Sequence, residues 1–328
     1  MTTPPNGRQD VFPFFVGSGR SGTTLVRAIF DSHPELAIPD EVSFIIRFAR
    51  PHYALRYGWP RRFDVAACAD LILHNESFRR WGIPEDAVLA ALADPPPSTF
   101  ADTVRRLYAL WAAGQGKPRY GDKTPMHVQH LHRLGRMFPE ARFVHIIRDG
   151  RDVALSYLSV AWGPSTIEGA AVEWRRRVRQ GRRAGRRLGS GRYREIRYED
   201  LVADPERVVG QICQFLGLPW DDALLRHHER ADDVIAATRF PAAHQRLLLP
   251  PTTGLRDWRE EMATDDVTRF EAIAGPVLDE LGYERSAQPS PGALMRATSR
   301  VLRAHAARSL TAARAGGRVV TEHLLGRK

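Results

Sequence analysis

Two glycines, Gly17 and Gly22, stand between an apolar run, Val11 to Val16, and the helix-spaced Leu25, Val26, Ile29 and Phe30. The aromatic and β-branched run predicts a buried strand, and the spacing after the glycines predicts a helix. The main-chain N–H groups of such a turn, together with the positive end of the helix, form a cradle for an oxyanion. The glycines sit as in a phosphate-binding loop, G-x-x-x-x-G-K-[ST], but Thr23 occupies the lysine position. A cation stands inside the loop instead, at Arg20, within reach of the terminal group of a bound anhydride. Two further cations punctuate the chain: Lys123, in a turn over Tyr120–Pro125 just ahead of the proline, and Arg148, which ends the β-branched run Arg142 to Ile147. A guanidinium at a strand end offers an anion a bidentate fork. Ser156 lies about two turns into the next helix, which resumes at Val153 to Tyr157, and ligands gather at this end of the strands in open parallel sheets.

These residues need a scaffold of strands and helices in alternation. Helical spacing recurs at Val88, Leu89 and Leu92, at Val104, Leu107, Tyr108 and Trp111, and over Val128 to Phe138. Prolines at 51, 60, 84 and 95–97 break residues 45–117 into short pieces, which predicts a helical insertion over the mouth of the site, where acceptor specificity would reside; plain scaffold packing explains it as well. Residues 171–188 predict a helix carrying Trp174 and eight arginines, read as a solvated face. Tyr193 to Tyr198 predicts a strand, Asp204-Pro205 a capped helix start leading into Val208 to Leu216, and Val267 to Leu281 a last helix closed at Gly282. The alternation predicts an α/β fold built on a doubly wound parallel sheet.

The segment Arg20-Ser21-Gly22-Thr23-Thr24-Leu25, continuing through Asp31, His33-Pro34-Glu35 and Asp40-Glu41, resembles the 5′-phosphosulfate loop of sulfotransferases that use 3′-phosphoadenylyl sulfate (PAPS), and most of all the tyrosylprotein branch. The resemblance covers roughly Phe12 to Tyr283 and implies a P-loop kinase-like fold. It implies that Arg20, Ser21, Gly22, Thr23 and Thr24 wrap the phosphosulfate. Lys123, in Asp-Lys-Thr-Pro, is similar to the lysine of the family's Asn-Lys-Asp-Pro segment, which steadies charge on the transferring group, and Arg148 and Ser156 match the pair that binds the 3′-phosphate. Glu41, twenty-one residues after Arg20, has the spacing of the catalytic glutamate of the tyrosylprotein branch, although Pro39-Asp40-Glu41-Val42 replaces that branch's Gly-Glu-Glu-Thr. His127 is a second candidate base, by likeness to the histidine of cytosolic members. Further nucleotide contacts are expected of Tyr198, Thr253, Gly254 and Arg256, while Arg151 and Asp152 read as an exposed arginine and a helix-start aspartate.

The resemblance implies transfer of a sulfuryl group to a hydroxyl or amine of a small-molecule, carbohydrate or lipid acceptor, with Glu41, Lys123 and Arg20 catalytic and no metal expected. The alternatives are an ATP-dependent kinase on the same fold, disfavoured by Thr23 and the Arg148/Ser156 pair, and a non-catalytic nucleotide-binding module recruited to membranes.

Composition bounds the rest. The 328 residues suffice for one large α/β domain over 10–285 followed by a linker and basic helical tail over 286–328. That tail holds eight Lys or Arg against Glu322 alone, about +7 of the formal +10, so the body of the chain gives little support to nucleic-acid binding. Peripheral contact of the tail with anionic lipid is an expectation, and oligomerisation is left open. Cys68 and Cys213 lack metal-type spacing, and the N-terminus carries no apolar leader, so a cytoplasmic protein with inert thiols is expected.

Overall fold

The computed structural model describes residues 10–58, 62–230 and 257–286. The elements that matter here run β1 Phe12–Gly17, α1 Thr23–Asp31, β2 Leu36–Ala37, then the helices α2 Phe44–Phe48, α3 Pro51–Ala54, α4 Val65–Leu73, α5 Glu76–Arg79, α6 Glu85–Ala93 and α7 Phe100–Gly114. They continue as β3 Arg119–Tyr120, β4 Asp122–Lys123, α8 Leu131–Met137, β5 Ala141–Ile147, α9 Gly150–Leu158, α10 Ile167–Leu188, β6 Tyr193–Arg197, α11 Tyr198–Ala203 and α12 Pro205–Leu216. The described residues of Met1–Arg148 and Arg177–Leu255 form one compact unit, and those of Asp149–Arg176 and Arg256–Lys328 a second. The expected basic tail falls outside the described residues from 287 on.

The larger unit is a parallel sheet in the order β4-β1-β5-β6. Alternation along the strands buries both of its faces. Phe12, Phe14, Val16 and Phe143 join a core with Val104, Leu107 and Tyr108 of α7 and Leu131 and Leu134 of α8, whereas Phe15, Val144 and Ile146 join another with Val26 and Ile29 of α1 and Val209 and Ile212 of α12. This is the expected doubly wound α/β fold. Between β2 and β3 the chain forms the helices α2 to α7. Asp204 caps α12 by accepting from the Arg207 N–H, as the Asp-Pro start predicts.

The turn expected over Tyr120–Pro125 is instead two short strands. β3 pairs in parallel with β2, and β4 pairs with β1 in the register Phe15↔Lys123. An aspartate and a lysine replace the apolar residues of an ordinary buried strand, and their polar groups find partners (below), so hydrophobic patterning does not reveal it. The segment expected to be helical from Val128 begins as a 3-10 turn, Pro125–His130, before α8. Cys68 and Cys213 are both free and buried, and burial pushes their thiols up to about 12 and about 11. No helix among the described residues is long and apolar enough to cross a membrane.

The smaller unit is organised around Arg151, which corrects the expectation of an exposed arginine. Its side chain is fully buried, with Nη2 donating to Asp149 Oδ2 at 2.7 Å and Nη1 to Glu271 Oε1 at 2.6 Å, beneath the Trp258 ring at 3.5 Å. Asp152 Oδ1 accepts the Trp258 main-chain N–H at 2.9 Å. Two carboxylates and the Glu284 carbonyl satisfy a charge that would otherwise be costly to bury.

On β5, His145 is fully buried and its Nδ1 lies 2.6 Å from the Tyr193 hydroxyl, which itself donates to Glu195 at 3.0 Å. That geometry holds a neutral imidazole with Nδ1 as donor. Burial, with the like charge of Arg182, pushes it down to about 3. An unfolded histidine titrates near 6.5, so between about pH 6.5 and 3 the unfolded chain binds the extra proton and stability falls as pH falls, by up to about 1.4 kcal/mol per pH unit. Urea unfolding at pH 7.5 and at pH 5 checks this. His145→Asn is expected to lower stability at pH 7.5 yet to flatten the decline toward pH 5.

Candidate active site

The loop after β1 is set by backbone conformation. Gly17 closes the strand against β5, where a Cβ would stand 2.6 Å from the Ile146 carbonyl oxygen. Arg20 adopts φ 68° and Gly22 φ 87°, two left-handed residues in a single turn. Left-handed residues alternating with right-handed ones aim successive N–H groups into one concavity. Gly22 caps α1, which has no acidic residue in its first turn to neutralise the helix end, so the positive end is available to an anion. The hydroxyls of Ser18 and Ser21 are buried in this loop with no protein partner. Unmet buried donors beside a helix N-terminus are what a bound oxyanion would satisfy.

Parallel pairing brings the other cations to the same edge. Lys123 lies on β4 beside β1, only 1% exposed, and its Nζ donates to Glu41 Oε1 at 2.5 Å and to Thr24 Oγ1 at 3.4 Å. Glu41, from the loop after β2, is by contrast 42% exposed. An ammonium therefore joins the second residue of α1 to a solvent-accessible carboxylate. Arg148 follows β5, whose Ile146 pairs with Gly17, and its guanidinium lies 4.7 Å from the centroid of the Tyr198 ring. The same ring lies where a Cβ on Gly22 would be, 2.3 Å from Cδ2, so Tyr198 locks the loop glycine and carries Arg148 at once.

The structure thus gathers Arg20, Ser21, Gly22, Thr23, Thr24, Glu41, Lys123, Arg148 and Tyr198 into the larger unit. Ser156 is on α9 in the smaller unit, where its side chain is buried. Thr253, Gly254 and Arg256 lie outside the described residues. His127 makes no bond to Lys123 or Glu41: its Nδ1 is 2.8 Å from Asp122 Oδ1, while Asp122 Oδ2 accepts from the Tyr108 and Thr124 hydroxyls. Hydrophobic spacing missed the side chains that surround Glu41. Arg27 of α1 and Arg80, just past α5, both face the Asp40 carboxylate, at 3.7 and 2.8 Å. Arg27 carried a signal of a kind, a charge on the otherwise apolar face of α1, but nothing near Arg80 marks its target.

Known proteins resemble this chain in sequence and in fold. A model of the sulfotransferase family matches residues 13–222. Protein-tyrosine sulfotransferase A of Caenorhabditis elegans is 26% identical over 289 residues, covering 86% of this chain and 70% of that protein. The Drosophila melanogaster protein-tyrosine sulfotransferase is 27% identical, with 84% of this chain covered; the chain spans about half of the fly protein, 52%. Among solved structures, the sulfotransferase domain from the curacin biosynthetic pathway superposes with a TM-score of 0.56 over 84% of this chain and 99% of that domain, at 19% identity, a likeness of fold.

The loop's conformation gives a direct test. An L side chain at the φ of Gly22 costs about 1–2 kcal/mol, and its methyl must also displace the Tyr198 ring. Gly22→Ala is expected to weaken calorimetric binding of 3′-phosphoadenosine 5′-phosphate by about 10-fold or more, with the urea midpoint measured alongside. Unchanged affinity would place the nucleotide elsewhere.

Proposed function

Because the chain belongs to the sulfotransferase family, we propose that it moves a sulfuryl group from PAPS to a hydroxyl acceptor with Glu41 as general base, and that the acceptor is a tyrosine phenol of a polypeptide. The observation that carries this reading is the buried Lys123, bonded to Glu41 and to Thr24 of the anion-binding loop. One group tied to the donor side and one open to solvent are separated by a single ammonium.

The residues present fit the nucleotide. The loop N–H groups, the unmet Ser18 and Ser21 hydroxyls and the end of α1 suit a phosphosulfate, and Arg148 above Tyr198 suits a further phosphate. When bound, PAPS supplies an activated sulfuryl group on a phosphate leaving group. Transfer of this kind asks the protein for position and charge neutralisation more than covalent help. Lys123 and the loop donors would hold charge that builds on the leaving side. Glu41 offers Lys123 its Oε1, leaving Oε2 to take the acceptor proton as the new S–O bond forms.

The relatives' names support tyrosine over the small-molecule, sugar or lipid acceptor expected from the sequence. Acidity supports it too, since a phenol near 10 yields its proton to a carboxylate far more readily than an aliphatic alcohol does.

Radiolabelled sulfate transfer to a tyrosine-containing peptide, its phenylalanine counterpart, a simple sugar and a fatty alcohol tests the acceptor. Label on the tyrosine peptide alone is expected, and label on the sugar or the fatty alcohol instead would overturn that choice. Glu41→Gln is expected to lower kcat by about 100- to 10,000-fold with affinity for 3′-phosphoadenosine 5′-phosphate nearly unchanged. An active Gln variant beside a dead His127→Ala would transfer the base role to the histidine. Arg148→Ala should weaken 3′-phosphoadenosine 5′-phosphate by about 2 to 4 kcal/mol while sparing adenosine 5′-phosphosulfate; equal loss for both would remove Arg148 from the 3′-phosphate.

A further inference from the structure

Glu41 stands on a stretch without regular secondary structure, yet the main chain around it is held at consecutive points by side chains from elsewhere. The Asp40 carbonyl accepts from Trp81 Nε1 at 3.1 Å and the Glu41 carbonyl from Arg80 Nη2 at 3.1 Å. The Val42 N–H donates to Thr124 Oγ1 at 3.1 Å and the Ser43 N–H to Ser77 Oγ at 2.9 Å. Three of these four groups come from the single short segment Ser77 to Trp81 of the helical insertion, and the fourth sits next to Lys123. Arg80 does more than fill one acceptor: its Nε also donates to Asp40 Oδ2 at 2.8 Å, so one planar fork spans the carboxylate before Glu41 and the carbonyl of Glu41 itself. The opposite side of Asp40 is faced by Arg27, whose Nε donates to the Ile38 carbonyl at 3.0 Å.

We propose that Arg80, with Trp81 and Thr124, is a positioning residue for the reaction, fixing the main chain on both sides of Glu41 so that its carboxylate meets Lys123 and the acceptor hydroxyl in one geometry. This rests on the reading of Glu41 as the base. A glutamate 42% exposed on an irregular loop would otherwise sample many rotamers and lose the orientation that general-base transfer needs. The insertion would thereby contribute to chemistry at a distance from the donor loop, through bonds to the main chain around Glu41 and to the Asp40 carboxylate. Trp81 suits the task because its own ring is packed edge-on against Tyr108 at 4.8 Å and is 4% exposed. Thr124 ties the same loop to Asp122, whose carboxylate also takes the Tyr108 hydroxyl.

The test is a set of cycles in the full chain: Arg80→Met, Arg80→Lys, Thr124→Val, Glu41→Gln, and each of the first three combined with Glu41→Gln. Arg80→Met is expected to lower kcat about 10- to 100-fold with acceptor KM and nucleotide affinity within about twofold of the parent. Arg80→Lys should recover only part, since an ammonium cannot span both acceptors. With phenolic acceptors of falling pKa, the deficits of Arg80→Met and Glu41→Gln should shrink together, because a more acidic phenol needs its base less. In the double variants, adding Arg80→Met or Thr124→Val to Glu41→Gln should cost little more. If Glu41→Gln is impaired but Arg80→Met is fully active, or if the two losses multiply, Arg80 does not act through Glu41 and the proposal fails alone. If Glu41→Gln is itself active, the base assignment fails and takes the proposal with it. Thr124→Val removes one hydroxyl for an isosteric methyl, so it carries the same cycle should Arg80→Met not fold, with an expected loss of about 3- to 10-fold.

Discussion

A buried ammonium needs a counter-charge, and the site is arranged around meeting that need for Lys123. At 1% exposure the lysine has given up almost all of its water, a cost that only paired, hydrogen-bonded burial can offset. Glu41 meets it from one side and the Thr24 hydroxyl from another. Each partner is fixed by a different part of the chain, so satisfying one charge also sets the spacing between the glycine loop and Glu41. The pairing Phe15↔Lys123 makes this possible, because it places β4 alongside the strand that feeds the loop.

The same economy governs the loop. Gly17 and Gly22 are needed for different reasons, one for the approach of β5 and the other for a left-handed turn under the Tyr198 ring. Tyr198 then serves Arg148 through its π face. A loop glycine and Arg148 are thus coupled through one aromatic ring at the start of α11. Substitution of Tyr198 would free space at Gly22 and remove the seat of Arg148 together, so its two roles are separable only by changing Gly22 or Arg148 instead.

Much of this was legible in the sequence because it is periodic or chemically unusual. The strand, glycine turn and helix at Phe12 to Asp31 declare themselves by a switch from strand to helical spacing, and Arg148 by a charge at the end of an apolar run. β4 escaped notice because two residues have no period, and because Asp122 and Lys123 are buried by ion pairs and hydrogen bonds that patterning counts as solvent. Arg151 departs from the pattern for the same reason: a charge in sequence reads as a surface mark, whereas two carboxylates and a tryptophan make an interior for it. The bonds from Ser77, Arg80 and Trp81 to the loop at 40–43 connect residues some forty apart through main-chain acceptors and donors, which carry no side-chain signature at all.

That contrast suggests how this fold divides its labour. The glycine loop, Lys123 and Arg148 sit at strand ends and a helix start, where backbone geometry places them with little help. Glu41 sits on an irregular loop with its carboxylate exposed, and irregular backbone holds a position only if its N–H and C=O groups are taken by something rigid. The short helix α5 provides that rigidity: Asn75 caps it, and the Asn75 carboxamide oxygen also accepts from the Ser77 hydroxyl at 2.6 Å, which aims Ser77 at the Ser43 N–H. An exposed carboxylate on an irregular loop therefore keeps its main chain in one place through the side chains of Ser77, Arg80 and Trp81 beside the sheet.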